Sequence, residues 1–258
     1  MTSSPFEAEE PGEGRMTFLE HLDELRKRIT HAVAALLVGF IIAFAFIGRV
    51  QAFIYQRLVA DVPGKSFIFT EPGEAFFLML KMAALTGVLI ASPYIMWQVW
   101  LFIAPGLYAK EKRLAIPFVC FSSGLFVAGA AFAHYIVFPA AWRFFASFSN
   151  EFITFTPRIE PVFGLYVKLM LGMGLVFQMP VLMFMLARLG IVTAGFLARN
   201  TKYAILLIFI AAAVITPDSS PVSQLLVAGP MIVLYGVGII VAWLFGKSKK
   251  LDEGANAV

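Results

Sequence analysis

Long apolar segments alternate with shorter polar ones along most of the chain. Six apolar segments can be recognised, at about residues 29–48, 72–103, 115–138, 161–187, 203–216 and 222–245. A helix needs about 20 mostly apolar residues to cross the hydrocarbon core of a bilayer, and four of the segments exceed this length comfortably. The pattern therefore predicts an all-α integral membrane protein with six transmembrane helices.

The fifth and sixth segments are expected to differ from the others. Only 13 residues separate Lys202 from Thr216, and this length corresponds to about 20 Å of helix. A span this short must thin the bilayer or be sheltered by neighbouring helices. The sixth segment is long enough, but Pro230, Gly236 and Gly238 predict that its helix is broken.

Other local signals predict where helices begin and bend. Thr17 and Glu20 have the spacing of a capping box, so a helix is predicted to begin there and to continue into the first span. Pro93 and Pro180 lie inside the second and fourth segments and predict kinks. We therefore expect bent helices rather than a straight bundle.

Composition and charge agree with this architecture. The chain is 60% hydrophobic and 14% charged, whereas a soluble domain carries about 25% charged residues. The membrane domain is predicted at residues 17–246, between an acidic, Pro/Gly-rich disordered tail at 1–16 and a short tail at 247–258. Of the 20 Lys and Arg residues, 13 lie on the side of the N-terminus and five on the opposite side. This bias predicts that both termini lie in the cytoplasm, and it explains the basic charge without nucleic-acid binding.

Several kinds of chemistry have no support in the sequence. The single cysteine, Cys120, and the three histidines show no metal-ligand spacing, and no phosphate-binding GxxxxGK[ST] motif is present. Neither GxSxG nor HExxH occurs. We therefore expect no metal, no cofactor and no enzymatic activity.

The most unusual stretch is "FLEHLDELRKRI", residues 18–29, directly before the first apolar segment. Read as a helix, it has acids and bases on one face and an apolar stripe on the other, formed by Leu19, Leu22, Leu25 and Ile29. The simplest interpretation pairs the charges along the helix, as Asp23–Lys27 and Glu24–Arg28. The alternative is that carboxylates on a rigid element bind the guanidinium groups of an arginine-bearing peptide arriving from the cytoplasm.

The stretch "FLEHLDELRKR" resembles the N-terminal signature of the TatC family, the multispanning core subunits of the twin-arginine protein translocase. Similarity continues in "EPGEAFFLMLKMA", "ASPYIMWQVWLFIAPGLYAKEKR", "VFPAAWRFF", "VFQMPV" and "TPDSSPVSQ". These blocks occur in the order of the family and extend from about Phe18 to Pro230.

The resemblance implies a fold and a function. TatC-like proteins have six transmembrane helices arranged like a cupped hand, with the last two helices short and both termini in the cytoplasm. They lie in the cytoplasmic (inner) membrane and recognise signal peptides with two consecutive arginines. With single-span TatA-type and TatB-type subunits they form a multimeric complex, which passes folded proteins across the membrane using the proton-motive force.

The resemblance also implies particular site residues. Glu24 and Glu111 correspond to the carboxylates that bind the twin arginines, and Arg26 and Arg28 are expected to orient these acids. The loop motif that shapes the site corresponds to Pro105, Leu107 and Tyr108. A site for docking a single-span partner corresponds to Gln178, Pro180 and Asp218.

Two of these docking residues have simpler explanations. Gln178 stands where family members frequently have glutamate, and it could instead satisfy carbonyl groups that Pro180 leaves without a donor. Asp218 could be a turn or capping residue before Pro221.

Two other functions are compatible with the residues alone. A secondary transporter for a small solute would use Lys81, Lys168 and Gln178 around a midplane cavity. More simply, the long side chains of Lys81 and Lys168 extend their ammonium groups towards the membrane surface; the other possibility for Lys81 is a pair with Glu74 two helical turns earlier. A purely structural scaffold would tolerate loss of charge at Glu24 and Glu111.

Overall fold

The computed structural model describes residues 18–60, 67–103, 115–152, 155–216 and 220–246. Within these ranges the chain forms ten α-helices, and a π-helical turn, Ala133–Val137, joins the fourth to the fifth. In chain order the helices are α1 Phe18–Ala45, α2 Ile47–Val59, α3 Glu74–Ile103, α4 Ala115–Phe132, α5 Phe138–Ala146, α6 Ile159–Val176, α7 Met179–Arg188, α8 Ala194–Arg199, α9 Thr201–Ile215 and α10 Pro221–Phe245.

The prediction of six spans is confirmed, including the short fifth one. Among the described residues, five helical stretches are long and apolar enough to cross a membrane: Leu19–Ala45, Glu74–Ile103, Ile116–Ala146, Ile159–Arg188 and Pro221–Phe245. The remaining span is α9, whose 15 residues extend for about 22 Å. The chain is thus a multi-pass membrane protein, with α1 beginning at Phe18 as the capping-box spacing predicts.

Two of the three prolines that were expected to disturb spans do not interrupt their helices. The prediction at Pro180 is confirmed, because the fourth span breaks at residues 177–178 and α7 then starts with Pro180 in its first turn. Pro93 lies inside the continuous helix α3. The predicted break at Pro230 is wrong, because α10 continues through it. Transmembrane helices tolerate proline when neighbouring groups and small backbone adjustments satisfy the freed carbonyl.

The glycines of α10 do not interrupt it either. A Cβ atom at Gly238 would collide with the side chain of Met183 on α7. Gly238 therefore allows α10 to pack closely against α7. The expected break was inferred from helix propensity, whereas the packing of the two helices explains this glycine.

Helices α1 and α3 make backbone contact where two glycines meet. A Cβ atom added to Gly39 would lie 2.5 Å from the carbonyl oxygen of Gly87, and one added to Gly87 would lie 2.7 Å from the amide nitrogen of Phe40. Side chains larger than hydrogen would push these helices apart. In a membrane, such small residues let helices gain van der Waals contact that lipid would otherwise provide.

At the start of α3, the Glu74 carboxylate joins the starts of α3 and α6. Its Oε2 accepts hydrogen bonds from the amides of Thr70 (3.0 Å) and Glu71 (3.4 Å), and its Oε1 accepts one from the amide of Glu160 at the start of α6 (3.2 Å). Arg158 approaches Oε2 at 3.7 Å. A buried carboxylate is tolerated here because amide donors and a guanidinium surround it.

Lys81 does not pair with Glu74, so that expectation is wrong. Its Nζ lies 2.6 Å from Oε1 of Glu160. The Glu74 oxygens are occupied by the amides at the two helix starts, whereas the side chain of Glu160 remains available to Lys81.

Glycine packing leads to a stability prediction for the α1–α3 contact. Gly87→Ala should lower the unfolding temperature of the purified protein in detergent, because overpacking costs about 1–3 kcal/mol. Gly164→Ala is the matched control, since Gly164 also lies in a spanning helix and a Cβ there would meet nothing within 4 Å. Equal unfolding temperatures for the two variants would contradict the close contact.

The Glu74 contacts lead to a second prediction. Glu74→Ala should lower the unfolding temperature of the purified protein, because three main-chain amides lose their acceptor. Glu71→Ala should have little effect, since its side chain is exposed and approaches Arg158 only at 4.0 Å. Thermal unfolding followed by circular dichroism would measure the unfolding temperatures of both variants. An equal decrease for the two substitutions would rule out the role given to Glu74.

Candidate functional site

The first turns of α1 lie against the last turns of α3. The ring of His21 stacks on the ring of Phe102 with a centroid distance of 4.4 Å. The start of α4 is next to them, because the rings of Trp100 and Phe118 are 4.7 Å apart. This end of the bundle therefore gathers the start of α1, the end of α3 and the start of α4.

The apolar side chains at the start of α1 lie mostly on its exposed face. Leu19, Leu22 and Ile29 are exposed, whereas the half-buried face consists of His21, Glu24, Leu25 and Arg28. In a membrane protein, lipid can cover apolar side chains, so polar groups can occupy the packed face.

The buried pair on this face is Glu24 and Arg28. Nη2 of Arg28 lies 3.0 Å from Oε1 of Glu24, and the side chains are only 23% and 14% exposed respectively. In the described part of the chain, Oε2 of Glu24 and Nε of Arg28 are buried and have no hydrogen-bond partner. The pair thus makes one contact where a carboxylate and a guanidinium could make two.

The neighbouring charges behave differently. The predicted Asp23–Lys27 pair is wrong for the described residues, because both side chains are exposed and no ion pair joins them. Arg26 is exposed as well. Arg28, rather than Arg26, is therefore the base that contacts Glu24.

The remaining predicted signal-peptide residues lie outside the described ranges, namely Glu111, Pro105, Leu107 and Tyr108. The described residues that flank their loop are Ile103 at the end of α3 and Ala115 at the start of α4. Asp218, predicted at a partner-docking site, also lies outside the described ranges.

Sequence reasoning missed Gln98 near the end of α3. This side chain is 4% exposed, and its Oε1 has no hydrogen-bond partner among the described residues. Gln98 precedes Phe102 by about one helical turn, so it lies on the face that approaches the start of α1. A polar residue within the apolar run "MWQVW" was the available signal.

Gln178 is buried at the break in the fourth span. Its Nε2 donates a hydrogen bond to the carbonyl oxygen of Ser122 on α4, at 3.0 Å. This carbonyl belongs to a different helix from Pro180, so the hydrogen bond from Gln178 does not satisfy a carbonyl that Pro180 leaves without a donor. The amide instead joins α4 to the break between α6 and α7.

An apolar groove of about 640 Å³ opens beside this break, between α4, α7 and α10. Its lining includes Phe118, Phe121, Pro180, Phe184, Val237 and, at one end, Arg188. Pro180, one of the predicted docking residues, thus borders a surface that is accessible from the membrane.

The polar residues that a solute transporter would need are far apart. Lys81 pairs with Glu160 at the start of α6, and Lys168 is exposed on α6. Gln178 lies just beyond the end of α6 and is hydrogen-bonded to Ser122. Residues 160 and 178 are separated by about 27 Å along the helical axis. These groups do not line one midplane cavity, and the described residues contain no cluster suited to a metal ion.

Comparison with known proteins gives one consistent result. The model of the family described as TatC, Sec-independent protein translocase protein, matches residues 20–230. The Sec-independent protein translocase protein TatC of Desulforapulum autotrophicum is 42% identical over 242 residues, covering 93% of this chain and 89% of that protein. That of Koribacter versatilis is 40% identical over 233 residues, covering 89% and 86%.

Solved structures agree with the sequence comparison. A crystal structure of the twin-arginine translocase receptor TatC superposes with a TM-score of 0.75 at 35% identity, covering 86% of this chain and 98% of that one. A second crystal structure of that receptor, in DDM, gives a TM-score of 0.78 at 34% identity, covering 86% and 99%.

Proposed function

The chain belongs to the TatC family of Sec-independent protein translocase proteins, and on this basis we propose that it is the signal-peptide receptor of a twin-arginine export system. As a member of that family it is a multi-pass component of a protein translocase rather than an enzyme. The proposal concerns what it recognises, how it is oriented and which subunits it works with.

The observation that carries the proposal is the Glu24 carboxylate on the packed face of α1. It is largely buried, and one of its oxygens has no hydrogen-bond partner among the described residues. A guanidinium group offers two parallel N–H donors that fit such a carboxylate, and an ammonium group does not. The expected ligand is therefore an arginine side chain.

The second arginine of the signal requires a second acceptor. By family resemblance this is Glu111, in the loop between α3 and α4, with Pro105, Leu107 and Tyr108 shaping the loop around it. Both ends of that loop are close to the start of α1, since Trp100 contacts Phe118 and Phe102 contacts His21. By the same resemblance, Arg26 and Arg28 belong to the proposed site, where Arg28 contacts Glu24.

The remaining elements of the proposal follow from charge distribution and resemblance. Both termini and the Glu24 site face the cytoplasm of a cytoplasmic (inner) membrane, because that side carries most of the Lys and Arg residues. TatA-type and TatB-type single-span subunits dock beside Gln178, Pro180 and Asp218 in a multimeric complex. Folded cargo proteins then cross the membrane, driven by the proton-motive force.

The bilayer itself contributes to the proposed mechanism. Helix α9, at about 22 Å, is shorter than the hydrocarbon core of about 30 Å. A mismatch of this kind thins the surrounding bilayer, which would lower the barrier for the cargo. Lipid-resolved imaging that found normal membrane thickness around the protein would contradict this part of the proposal.

Peptide binding tests the proposed receptor site. A fluorescent twin-arginine signal peptide should bind the purified full chain in detergent, and Glu24→Gln or Glu111→Gln should each weaken binding by about tenfold or more, because a charge-assisted pair is lost. A peptide with Lys-Lys in place of Arg-Arg should bind poorly to the wild-type protein. Fluorescence anisotropy would give the dissociation constants.

Asp23→Asn provides the matched control for this test. Asp23 is adjacent to Glu24 and exposed. Asp23→Asn changes the net charge by the same amount as Glu24→Gln, but it should leave the peptide affinity within about twofold of the wild-type value. Equal effects at positions 23 and 24 would mean that only overall charge matters. Unchanged binding in both Glu variants would favour a structural scaffold and would overturn the receptor site.

Crosslinking tests the docking site. A photo-crosslinking residue in place of Phe121, which is 63% exposed in the groove beside Pro180, should capture a TatA-type or TatB-type subunit in membranes. The same residue in place of Phe76, which is 56% exposed at the start of α3, serves as the control. Lipid adducts alone at position 121, or equal subunit capture at both positions, would contradict docking there.

A further inference from the structure

We propose that Arg28 is an internal placeholder for an arginine of the signal peptide. It occupies the Glu24 carboxylate while no peptide is bound, and the incoming guanidinium group displaces it. This inference rests on the proposed function, and it goes further by giving Arg28 a competing rather than an orienting role.

The first argument is the incomplete geometry of the pair. Arg28 reaches only Oε1 of Glu24, and Oε2 of Glu24 and Nε of Arg28 remain buried and unpartnered in the described part of the chain. Buried polar atoms without partners destabilise the state that contains them. A peptide guanidinium that is not tethered to the same helix can approach along both oxygens, so the exchange replaces a one-contact pair with a two-contact pair.

The second argument is the need for a counter-ion. The Glu24 side chain is only 14% exposed, and a carboxylate so largely buried beside apolar helices is unfavourable without an opposite charge. Arg28 supplies that charge in the resting state. During exchange one guanidinium replaces another, so the carboxylate keeps a cationic partner throughout and stays aimed at the site.

The third argument is that Arg28 can leave easily. Its side chain is 23% exposed, and it lies one helical turn from Glu24 at the start of the helix. The long side chain can turn towards water while the backbone stays in place. The displaced guanidinium group would then be hydrated, whereas a deeply buried arginine would have no such alternative.

A placeholder changes affinity in a characteristic way. The apparent affinity of any ligand for Glu24 is reduced by the fraction of the protein in which Arg28 blocks the carboxylate. Removing Arg28 should therefore increase the affinities for the Arg-Arg and Lys-Lys peptides by the same factor, so that the ratio of the two affinities stays unchanged. Loss of an orienting residue would instead weaken binding and alter the ratio.

The experiment compares Arg28→Gln with Lys27→Gln in the full chain. Both changes remove one positive charge from adjacent positions, but Lys27 is exposed and has no ion-pair partner among the described residues. Arg28→Gln should tighten binding of the fluorescent Arg-Arg peptide by about three- to tenfold. Lys27→Gln should change it by less than about twofold.

A double substitution isolates the pair. In a Glu24→Gln background, Arg28→Gln should not increase the peptide affinity, because the carboxylate for which Arg28 and the peptide compete is gone. Arg28→Lys, which keeps the charge but lacks the planar guanidinium group, should give a smaller gain in peptide affinity. It also serves as the test variant if Arg28→Gln folds poorly.

The outcomes separate this inference from the proposed function. If the wild-type protein binds Arg-Arg peptide through Glu24 but Arg28→Gln and Arg28→Lys bind it more weakly, Arg28 orients the acid and the placeholder is overturned. The placeholder is also overturned if Arg28→Gln raises the peptide affinity no more than Lys27→Gln does, or if the rise persists in the Glu24→Gln background. If the wild-type protein does not distinguish Arg-Arg from Lys-Lys, the receptor proposal itself fails.

Discussion

Backbone contact between α1 and α3 determines how the N-terminal charges are presented. Gly39 and Gly87 touch so closely that neither position has space for a Cβ atom, and this contact fixes the rotation of α1 about its own axis. Residues 28 and 39 are about three helical turns apart, so they share a face. When Gly39 faces α3, Arg28 must face it as well, together with Glu24 one turn earlier.

The described polar groups of the bundle are satisfied in two different ways. Glu74 and Gln178 make hydrogen bonds with main-chain groups of neighbouring segments, and both join elements that are distant in sequence. Among the described residues, Glu24 has only Arg28 as a partner, four residues away on the same helix, and the contact is incomplete. Since buried polar groups in membrane proteins are usually paired or functional, this difference separates a structural carboxylate from one suited to a ligand.

The sequence predicted much of the fold because the bilayer imposes a simple length rule. Apolar segments of about 20 residues become spans, and the short segment after Lys202 became the short helix α9. Predictions about single side chains were less successful. The predicted Asp23–Lys27 pair is absent among the described residues. Pro230 lies in a continuous helix, because neighbouring groups and small backbone adjustments can satisfy the carbonyl that proline leaves without a donor.

The sequence by itself determined the number of spans, the short fifth helix and the membership of the TatC family, because span length and ordered motifs are properties of contiguous residues. It also indicated Glu24 and its pairing with Arg28, since both lie on one helix four residues apart. Only the tertiary structure decided that this pair lies on the packed face, that Lys81 reaches Glu160, and that Gln178 bonds to the carbonyl of Ser122. These contacts depend on how each helix is rotated about its axis and how it crosses its neighbours. Close packing between segments distant in sequence determines both, so no local sequence pattern predicts them.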